Sequence, residues 1–444
     1  MGKLLLSFLF LSVTALAQTT VPPMNIKERV LDNGLRVVSV RDISSPVVTV
    51  QVWYRVGGKD DPSGKSGFAH MFEHMMFKAT TNMPNEMMDR LTEDVGGWNN
   101  AFTREDVTAY HEEIPENYLQ TLLWAEADRM VNLAVDAKNF ASERDVVKEE
   151  YRQSVESNPY GKLFWFTDEL SYSKHPYKFG VIGNLQQLEA AKLEDAFAFY
   201  HEYYRPDNAA LIVVGDFEQN QLDDWVNKYF AAIKNPAKPI ERVTVEEPAR
   251  EKEVVFNETQ NNVPFPAVAI TYFAPPSTSP DVPALKVLAG ILSRGESSRL
   301  YQELVYKKQL VAETGFFADI RVDKGLLTFF AIAAGGKDLP EIEANYDSII
   351  KEITANGPTE KELAKVKNQM VMSALRSRET VTGKASAIGN AYIYDMNPKA
   401  ANDEIAKLQA VTAADVKSVA EKYLQKNSRA VINYRNQETN GGSK

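Results

Sequence analysis

The sequence repeats itself at a nearly constant offset, and this repeat restricts the possible folds more than any other feature. An alternating run in the first half returns 218 residues later, as Val50, Val52, Tyr54 and Val56 against Val268, Ile270, Tyr272 and Ala274. A second set returns 220 residues later, as Leu188, Asp195, Tyr203, Ala210 and Ile212 against Leu408, Asp415, Tyr423, Ala430 and Ile432. The first set reads as a strand that leads to a helix, and the second as a helix followed by a strand. The repeat therefore predicts two homologous α+β domains.

Composition places the boundary between the two halves. Residues 236–253 contain three prolines among many charges and little periodicity, which predicts a linker between a domain at 24–235 and a domain at 254–436. Each half runs from strands through amphipathic helices to a closing strand. We therefore expect each domain to be an antiparallel sheet with helices packed on one face. Residues 437–444, rich in Gly, Asn and Ser, are predicted to be a disordered tail.

The first seventeen residues differ from the rest of the chain. Lys3 precedes an almost uncharged apolar run from Leu4 to Leu16, and Ala17 ends it with a small residue. This pattern is typical of a signal peptide and predicts an exported protein, which would be periplasmic in a Gram-negative bacterium. The run is short for a membrane span, so no stable membrane insertion is expected. The alternatives are an N-terminal anchor or an apolar helix of the mature fold.

Charge and cysteine content exclude several functional classes. A net charge of −10 would repel a phosphate backbone, so no nucleic-acid partner is expected. The absence of cysteine excludes disulfides, thiol catalysis and cysteine-ligated zinc. Any bound metal must therefore use His, Asp or Glu.

Two of the five histidines lie four residues apart in the segment GFAHMFEHMMF, residues 67–77. On a helix His70, Glu73 and His74 share one face. Two neutral imidazoles at this spacing can chelate zinc, and the adjacent carboxylate can act on metal-bound water. The pattern is HxxEH, the inverse of HExxH. The alternative is a polar face of an ordinary amphipathic helix.

A catalytic zinc needs a third protein ligand, and the segment SERDVVKEEYRQSVE at residues 142–156 offers one. Glu143 and Glu150 are two helical turns apart and share a face, whereas Glu149 points about 100° away. We expect Glu150 to bind the metal and Glu143 to accept a hydrogen bond from a ligand histidine. The alternative is an acidic, solvated helix.

These segments together resemble the M16 metallopeptidases, the family of pitrilysin, insulinase and mitochondrial processing peptidase. The other segments that carry the resemblance are LDNGLRVV from Leu31, GGWNNAFTREDVTAY from Gly96, HPYKFGVIGN from His175 and SSRLYQEL from Ser297. The resemblance implies an endopeptidase of unfolded peptides with one Zn²⁺ per chain. It assigns the metal to His70, His74 and Glu150, the general base to Glu73 and a supporting role to Glu143.

The resemblance also implies a strand that binds substrate. Asn100, Ala101, Phe102 and Thr103 match the NAxT motif of the family's edge strand. An extended peptide can add to such an edge by main-chain hydrogen bonds, which gives little sequence selectivity. The alternative is an ordinary core strand with Trp98 and Phe102 buried.

The repeat predicts that the second half binds no metal. At the offset of 218, His70, Glu73 and His74 correspond to Leu288, Ile291 and Leu292, and Glu150 falls near Gln369 or Met370. One catalytic and one degenerate domain are what asymmetric members of the family imply.

One departure from the family concerns the second half. Active single-chain members carry an Arg, and a Tyr seven residues later, which hold substrate and stabilise the oxyanion. This chain has Val305 and Ala312 at those positions. Losing an oxyanion donor costs about 10² to 10³ in rate, so we expect a heterodimer in which a homologous subunit without the zinc motif supplies the pair.

Two alternative functions stay open. The chain could be a non-catalytic, zinc-containing subunit for peptide binding or assembly, although Glu73 is present and no fourth protein ligand is apparent. It could also be a maturation protease for one precursor, which would use the same chemistry.

Overall fold

The computed structural model describes residues 21–437. The predicted signal peptide at residues 1–17 and residues 438–444 of the predicted tail lie outside this range. Within it the chain forms two β-sheets, one from each half, with helices packed against both. Between them, residues 236–253 contain no helix or strand.

The first sheet has six strands in the order β1-β2-β6-β3-β5-β4. Its strand β4 pairs only with β5 and forms one edge. The strands are β1 (Lys27–Val30), β2 (Arg36–Arg41), β3 (Val47–Tyr54), β4 (Trp98–Thr103), β5 (Thr108–Pro115) and β6 (Ala209–Gly215).

The second sheet has five strands in the order β7-β11-β8-β10-β9. They are β7 (Val254–Gln260), β8 (Ala267–Phe273), β9 (Val311–Asp319), β10 (Leu326–Ala333) and β11 (Ala430–Asn436). With β1 left aside, this order reproduces that of the first sheet strand by strand. The duplication read from the sequence is therefore present in the topology.

Some helices also have counterparts in the other half, although eight α-helices are described in the first half and six in the second. Those of the first half are α1 (Phe68–Met75), α2 (Met87–Glu93), α3 (Leu119–Asn132), α4 (Ala137–Tyr151), α5 (Gly161–Ser171), α6 (Leu185–Ala190), α7 (Leu193–Tyr203) and α8 (Gln219–Phe230). Those of the second half are α9 (Val282–Ser293), α10 (Leu339–Asn356), α11 (Glu360–Ser377), α12 (Val381–Tyr394), α13 (Glu404–Ala410) and α14 (Ala413–Tyr423). The helix α1 thus corresponds to α9, in which Leu288, Ile291 and Leu292 are all buried.

Each half lends one helix to the sheet of the other half. The helix α12 packs on the outer face of the first sheet, where Ala385 and Ile388 join Trp53 in one apolar cluster. The helix α5 packs on the second sheet, where Leu163 and Phe166 lie among residues of β8 and β11. Both faces of each sheet are therefore covered, and the halves are bound together by exchanged helices.

The turns beyond the two edge strands meet between the halves. Asp106, in the turn from β4 to β5, accepts a hydrogen bond of 2.9 Å from the backbone N–H of Val322, in the turn from β9 to β10. In the same second-half turn, Arg321 forms a 2.8 Å ion pair with Asp168 of α5. These contacts tie the end of β4 to the second half of the molecule.

The α+β class and the two-domain architecture are confirmed, with two corrections. First, the sheets are mixed, because β2 pairs parallel to β6 and β7 pairs parallel to β11. Several helices separate the two strands of each pair, and such a long connection allows parallel pairing. Second, the helices do not lie on one face only, because the exchanged helices cover the other. Within residues 21–437 no helix has both the length and the apolar character that a membrane crossing requires.

Candidate metal centre

The helix α1 carries the HxxEH segment and is fixed at its start by a carboxylate from outside the helix. Gly67 precedes it with φ of 94°, a left-handed conformation that favours glycine. Asp61 accepts hydrogen bonds from the backbone N–H groups of Gly67 and Ala69. The apolar side of α1, with Met71 and Phe72 among its residues, is fully buried in the first core. This packing leaves the polar side of the helix facing α4.

The helix α4 supplies the carboxylates that face α1. It is capped by Asp136, whose side chain accepts hydrogen bonds from two backbone N–H groups of the first turn. Glu143 is buried, and Glu150 lies two turns further on the same side. Beyond Tyr151 the helix widens into a π-helical turn at Arg152–Glu156. Such turns are frequent at functional sites because they redirect side chains.

His70, His74 and Glu150 converge at the contact between α1 and α4. Each offers one ligand atom, and these three atoms lie within 4.8 Å of one another. Glu150 Oε2 is 3.5 Å from His70 Nε2 and 3.6 Å from His74 Nε2. Ligands on a tetrahedral zinc at about 2.0 to 2.1 Å would be about 3.3 to 3.4 Å apart. The two separations that involve Glu150 therefore match a zinc ion within a few tenths of an ångström, and the two histidine nitrogens lie within 4.8 Å of each other.

The chemistry of these donors also fits zinc. Two imidazole nitrogens and one carboxylate oxygen are a ligand set of catalytic zinc sites, which leave the fourth position for water or substrate. Burial, with a smaller contribution from the neighbouring His74, lowers the pKa of His70 to about 4. His70 is therefore a neutral imidazole at physiological pH, which is the form that binds a metal.

Glu143 lies behind His74. Its Oε2 is 3.8 Å from His74 Nδ1, and its Oε1 forms an ion pair of 3.0 Å with Lys78 Nζ. Glu149, by contrast, faces Arg152 and Gln153 on the outer side of α4. The structure thus separates Glu143 and Glu150 from Glu149, as the helical spacing predicts.

Glu73 lies beside the three convergent residues at the wall of a cavity of about 630 Å³. Burial raises the pKa of Glu73, and a hydrogen bond from Thr103 offsets part of that effect. Thr103 Oγ1 donates this bond to Glu73 Oε2 over 2.6 Å. A carboxyl group with a raised pKa is suited to accept and return a proton near neutral pH.

The four residues predicted to bind substrate lie together on the edge strand β4. Ala101, Phe102 and Thr103 line the cavity, whereas Asn100 is exposed and does not. The Oδ1 atom of Asn100 instead accepts a hydrogen bond of 2.8 Å from the N–H of Ala101.

Several cavity residues have no role assigned by the sequence. Gln153 and Ser154 come from the π-helical turn, and Val181 and Ile182 from the loop after α5. The loop lies inside the segment HPYKFGVIGN, where Gly180 and Gly183 both have positive φ. From the sequence, the two glycines could have predicted a loop with a constrained backbone, but they could not have predicted that this loop lines the cavity.

The second half brings no Arg or Tyr to the cavity within the described part of the chain. Arg299, which lies near Val305 in the sequence, does not line the cavity and instead donates hydrogen bonds of 2.7 and 2.9 Å to Glu362. Tyr306 is 69% exposed to solvent.

Comparison with known proteins agrees with this geometry. A family model described as "Insulinase (Peptidase family M16)" matches residues 36–178, and one described as "Peptidase M16 inactive domain" matches residues 190–370. The second match begins before the predicted linker at 236–253, so the matched ranges do not follow the two sheets.

Relatives and solved structures extend over most of the chain. Zinc protease PqqE of Helicobacter pylori is 32% identical over 81% of this chain and 79% of its own length. A probable mitochondrial-processing peptidase subunit beta of Arabidopsis thaliana is 24% identical over 89% of this chain and 75% of its own. The crystal structure of a protease from Helicobacter pylori matches with a TM-score of 0.90 and 28% identity, covering 93% of this chain and 100% of that one. The first half of the periplasmic protease PqqL from Escherichia coli has the same fold, with a TM-score of 0.74, 17% identity and 94% of each chain covered.

Proposed function

Because the chain belongs to the M16 peptidase family, we propose that it is a zinc-dependent endopeptidase that hydrolyses peptide bonds of unfolded peptides. His70, His74 and Glu150 would hold one zinc ion, and Glu73 would act as the general base. The proposal is supported above all by the convergence of the three ligand atoms within 4.8 Å, beside Glu73 and at the wall of a cavity.

Each protein group has a defined part in the reaction. Zinc, when bound, supplies Lewis acidity for the scissile carbonyl and activates a water molecule as nucleophile. Glu73 takes the proton that the attacking water loses and returns it to the leaving amine nitrogen. Thr103 holds Oε2 of Glu73, which leaves Oε1 for the proton.

Substrate would bind along β4 as an additional strand. The strand is an edge of its sheet, and three of its residues line the cavity. An extended peptide can pair with such an edge through its backbone, whereas a folded domain offers no free strand. The N–H of Ala101 would exchange its bond to Asn100 for one to the peptide.

The test is a comparison of the mature chain with Glu73→Gln, each alone and mixed with candidate homologous subunits, using a quenched fluorescent peptide and the measured zinc content. We expect both to hold close to one zinc per chain and the variant to cleave about 10² to 10⁴ times more slowly. Cleavage by Glu73→Gln at the parent rate would overturn the assignment of the base. If zinc is bound but no cleavage depends on Glu73, the chain is a zinc-containing subunit for peptide binding or assembly.

The second part of the proposal is a heterodimer. A homologous subunit without the zinc motif would supply the Arg and Tyr that the positions of Val305 and Ala312 lack. The observation that favours a heterodimer is that no Arg or Tyr of the described residues, 21–437, lines the cavity.

A gain-of-function variant tests the heterodimer. The double change Val305→Arg and Ala312→Tyr should raise cleavage by the chain alone, by up to about 10²-fold if both groups reach the oxyanion. Mixing the unmodified chain with its homologous subunit should have the same effect. Full activity of the unmodified chain by itself would contradict this part of the proposal.

We also propose that the mature protein lies outside the cytoplasm. Residues 1–17 have the pattern of a signal peptide, and the related fold of PqqL belongs to a periplasmic protease. Sequencing the N-terminus of the protein made in its own cell tests this, because export predicts that these residues are removed.

A further inference from the structure

Lys78 lies one helical turn beyond His74, just after α1 ends. Two backbone bonds extend the helix that far, from Phe77 N–H to the carbonyl of His74 and from Lys78 N–H to the carbonyl of Met75. Both span three residues, which tightens the last turn. The side chains of Lys78 and His74 are nevertheless both directed towards α4, because each lies within 4 Å of Glu143.

Both side chains meet the same carboxylate. Lys78 Nζ is 3.0 Å from Glu143 Oε1, and His74 Nδ1 is 3.8 Å from Glu143 Oε2. The side chain of Glu143 is only 5% exposed, against 27% for Lys78. Among the described residues Lys78 is the one Lys or Arg that forms an ion pair with Glu143. The contact of Lys78 with Oε1 is an ion pair by distance, and no group among the described residues donates a hydrogen bond to this oxygen.

We propose that Lys78 is a positioning residue for the metal centre, which acts on His74 through Glu143. The inference rests on the proposed zinc site and extends it by one residue. Lys78 anchors Oε1, so that Oε2 stays directed at Nδ1 of His74. An acceptor at Nδ1 fixes the ring with Nε2 towards the metal and makes that nitrogen a better ligand.

The burial of Glu143 makes this anchor necessary. A buried carboxylate that loses the cation paired with it is poorly stabilised and turns away or draws in water. His74 would then lose its acceptor while keeping its place on α1. Zinc binding should therefore weaken even though no ligand has been changed.

The experiment is a double-mutant cycle on zinc affinity, measured with the metal-free full chain and a competing chromophoric chelator. The variants are Lys78→Met, Glu143→Gln and the two combined. We expect each single change to weaken zinc binding by about 10 to 100-fold. The zinc affinity of the combined variant should be at most about threefold below that of the single variant with the lower affinity. The two losses do not multiply because both changes break the same series of contacts, from Lys78 through Glu143 to His74.

Lys65→Met is the matched control. Lys65 precedes α1, is 32% exposed and forms an ion pair with Asp195, but does not contact Glu143. This variant should bind zinc as the parent does, within about twofold, because surface ion pairs contribute little. The thermal midpoints of the metal-free variants show that each chain is folded when its affinity is measured.

The outcomes separate this inference from the function on which it rests. Tight zinc binding by the parent and equal binding by Lys78→Met would overturn the role of Lys78 alone. Losses that multiply in the combined variant would also overturn it, because Lys78 would then act independently of Glu143. A parent chain that binds no zinc would overturn the proposed function and this inference together.

Discussion

Thr103 on β4 donates a 2.6 Å hydrogen bond to the carboxylate of Glu73 on α1. The strand proposed to bind substrate is thereby joined to the residue proposed as base. A peptide that pairs with β4 would lie at a fixed position relative to Glu73. Substrate alignment and proton transfer therefore depend on the same contact between strand and helix.

Loss of this bond should slow cleavage without removing the metal. In Thr103→Val the carboxylate of Glu73 loses its donor, and a hydrogen bond to a charged group is worth about 1.5 to 3 kcal/mol. We expect kcat/KM for a fluorescent peptide to fall by about 10 to 100-fold, with zinc content unchanged. Thr103→Ser keeps the hydroxyl and should stay within about threefold of the parent. Equal rates for the valine and serine variants would show that the bond has no catalytic part.

The hydrogen bonds at the start of α1 should contribute to the stability of the fold. Asp61 accepts the N–H groups of Gly67 and Ala69. Asp61→Ala leaves both donors without their acceptor and should destabilise the protein by about 1 to 2 kcal/mol. Asp61→Asn keeps one acceptor oxygen and should lose less. Thermal unfolding of the metal-free chain measures this, and an unchanged midpoint for Asp61→Ala would contradict the capping role.

The fold was largely predictable because the duplication is visible in the sequence, but the exchanged helices were not. The pattern of α12, with Ala385 and Ile388 on one side, indicates only that the helix packs on something apolar. A signal for a second covered face did exist in β6, where Ala209–Gly215 reads AALIVVG and is buried throughout. A strand without polar alternation is buried on both faces. Which helix covers the second face depends on contacts between distant parts of the chain.

The packing of α12 on the first sheet should tolerate no side chain at Gly389. A Cβ at this position would overlap the ring of Trp53. Gly→Ala within a helix is normally stabilising by up to about 1 kcal/mol, but here we expect a loss of about 1 to 3 kcal/mol from overpacking. Chemical denaturation of Gly389→Ala measures the loss.

Two further variants show whether the effect comes from this contact. Gly335→Ala places its Cβ 3.7 Å from Phe265, an ordinary contact, and should leave stability nearly unchanged. Trp53→Phe in the Gly389→Ala background makes room and should recover part of the lost stability. A Gly389→Ala variant as stable as the parent would refute the close packing of α12.

Glu362 should contribute to the acid sensitivity of the second half. Burial alone would raise the pKa of Glu362, but hydrogen bonds from Arg299 and Thr359 outweigh it and lower the pKa to about 2. A lowered pKa in the folded state means that the contribution is complete above about pH 4.5 and is lost as the pH falls towards 2. Glu362→Gln should therefore cost on the order of 1 to 2 kcal/mol at pH 7, less than the full shift of the pKa would give, because solvent screens this partly exposed ion pair.

The pH dependence of that cost is the test. The difference in unfolding free energy between Glu362→Gln and its parent should shrink between pH 4.5 and pH 2. The same difference at every pH would show that the carboxylate charge of Glu362 does not stabilise the fold.

In the candidate site, helical spacing was enough to predict which side chains of α1 and α4 lie on the sides that face each other. Two turns separate Glu143 from Glu150, and the structure directs Glu149 elsewhere, to Arg152. The cavity residues Val181 and Ile182 escaped prediction because they come from a loop, which has no periodicity to show its direction. The contact of Lys78 with Glu143 joins two helices far apart in sequence and needed the packed structure.

The central claim is that Glu150 completes a zinc site with His70 and His74, and a matched pair of neighbours on α4 tests it most directly. The measurement is zinc bound per folded chain, by elemental analysis after dialysis against a defined free zinc concentration, for Glu150→Gln and Glu149→Gln. Our account predicts that Glu149→Gln keeps one zinc per chain, whereas Glu150→Gln binds it at least about 100-fold more weakly. Equal zinc in both variants would contradict the account, because a carboxylate directed at Arg152 and one directed at the two histidines would then be equivalent.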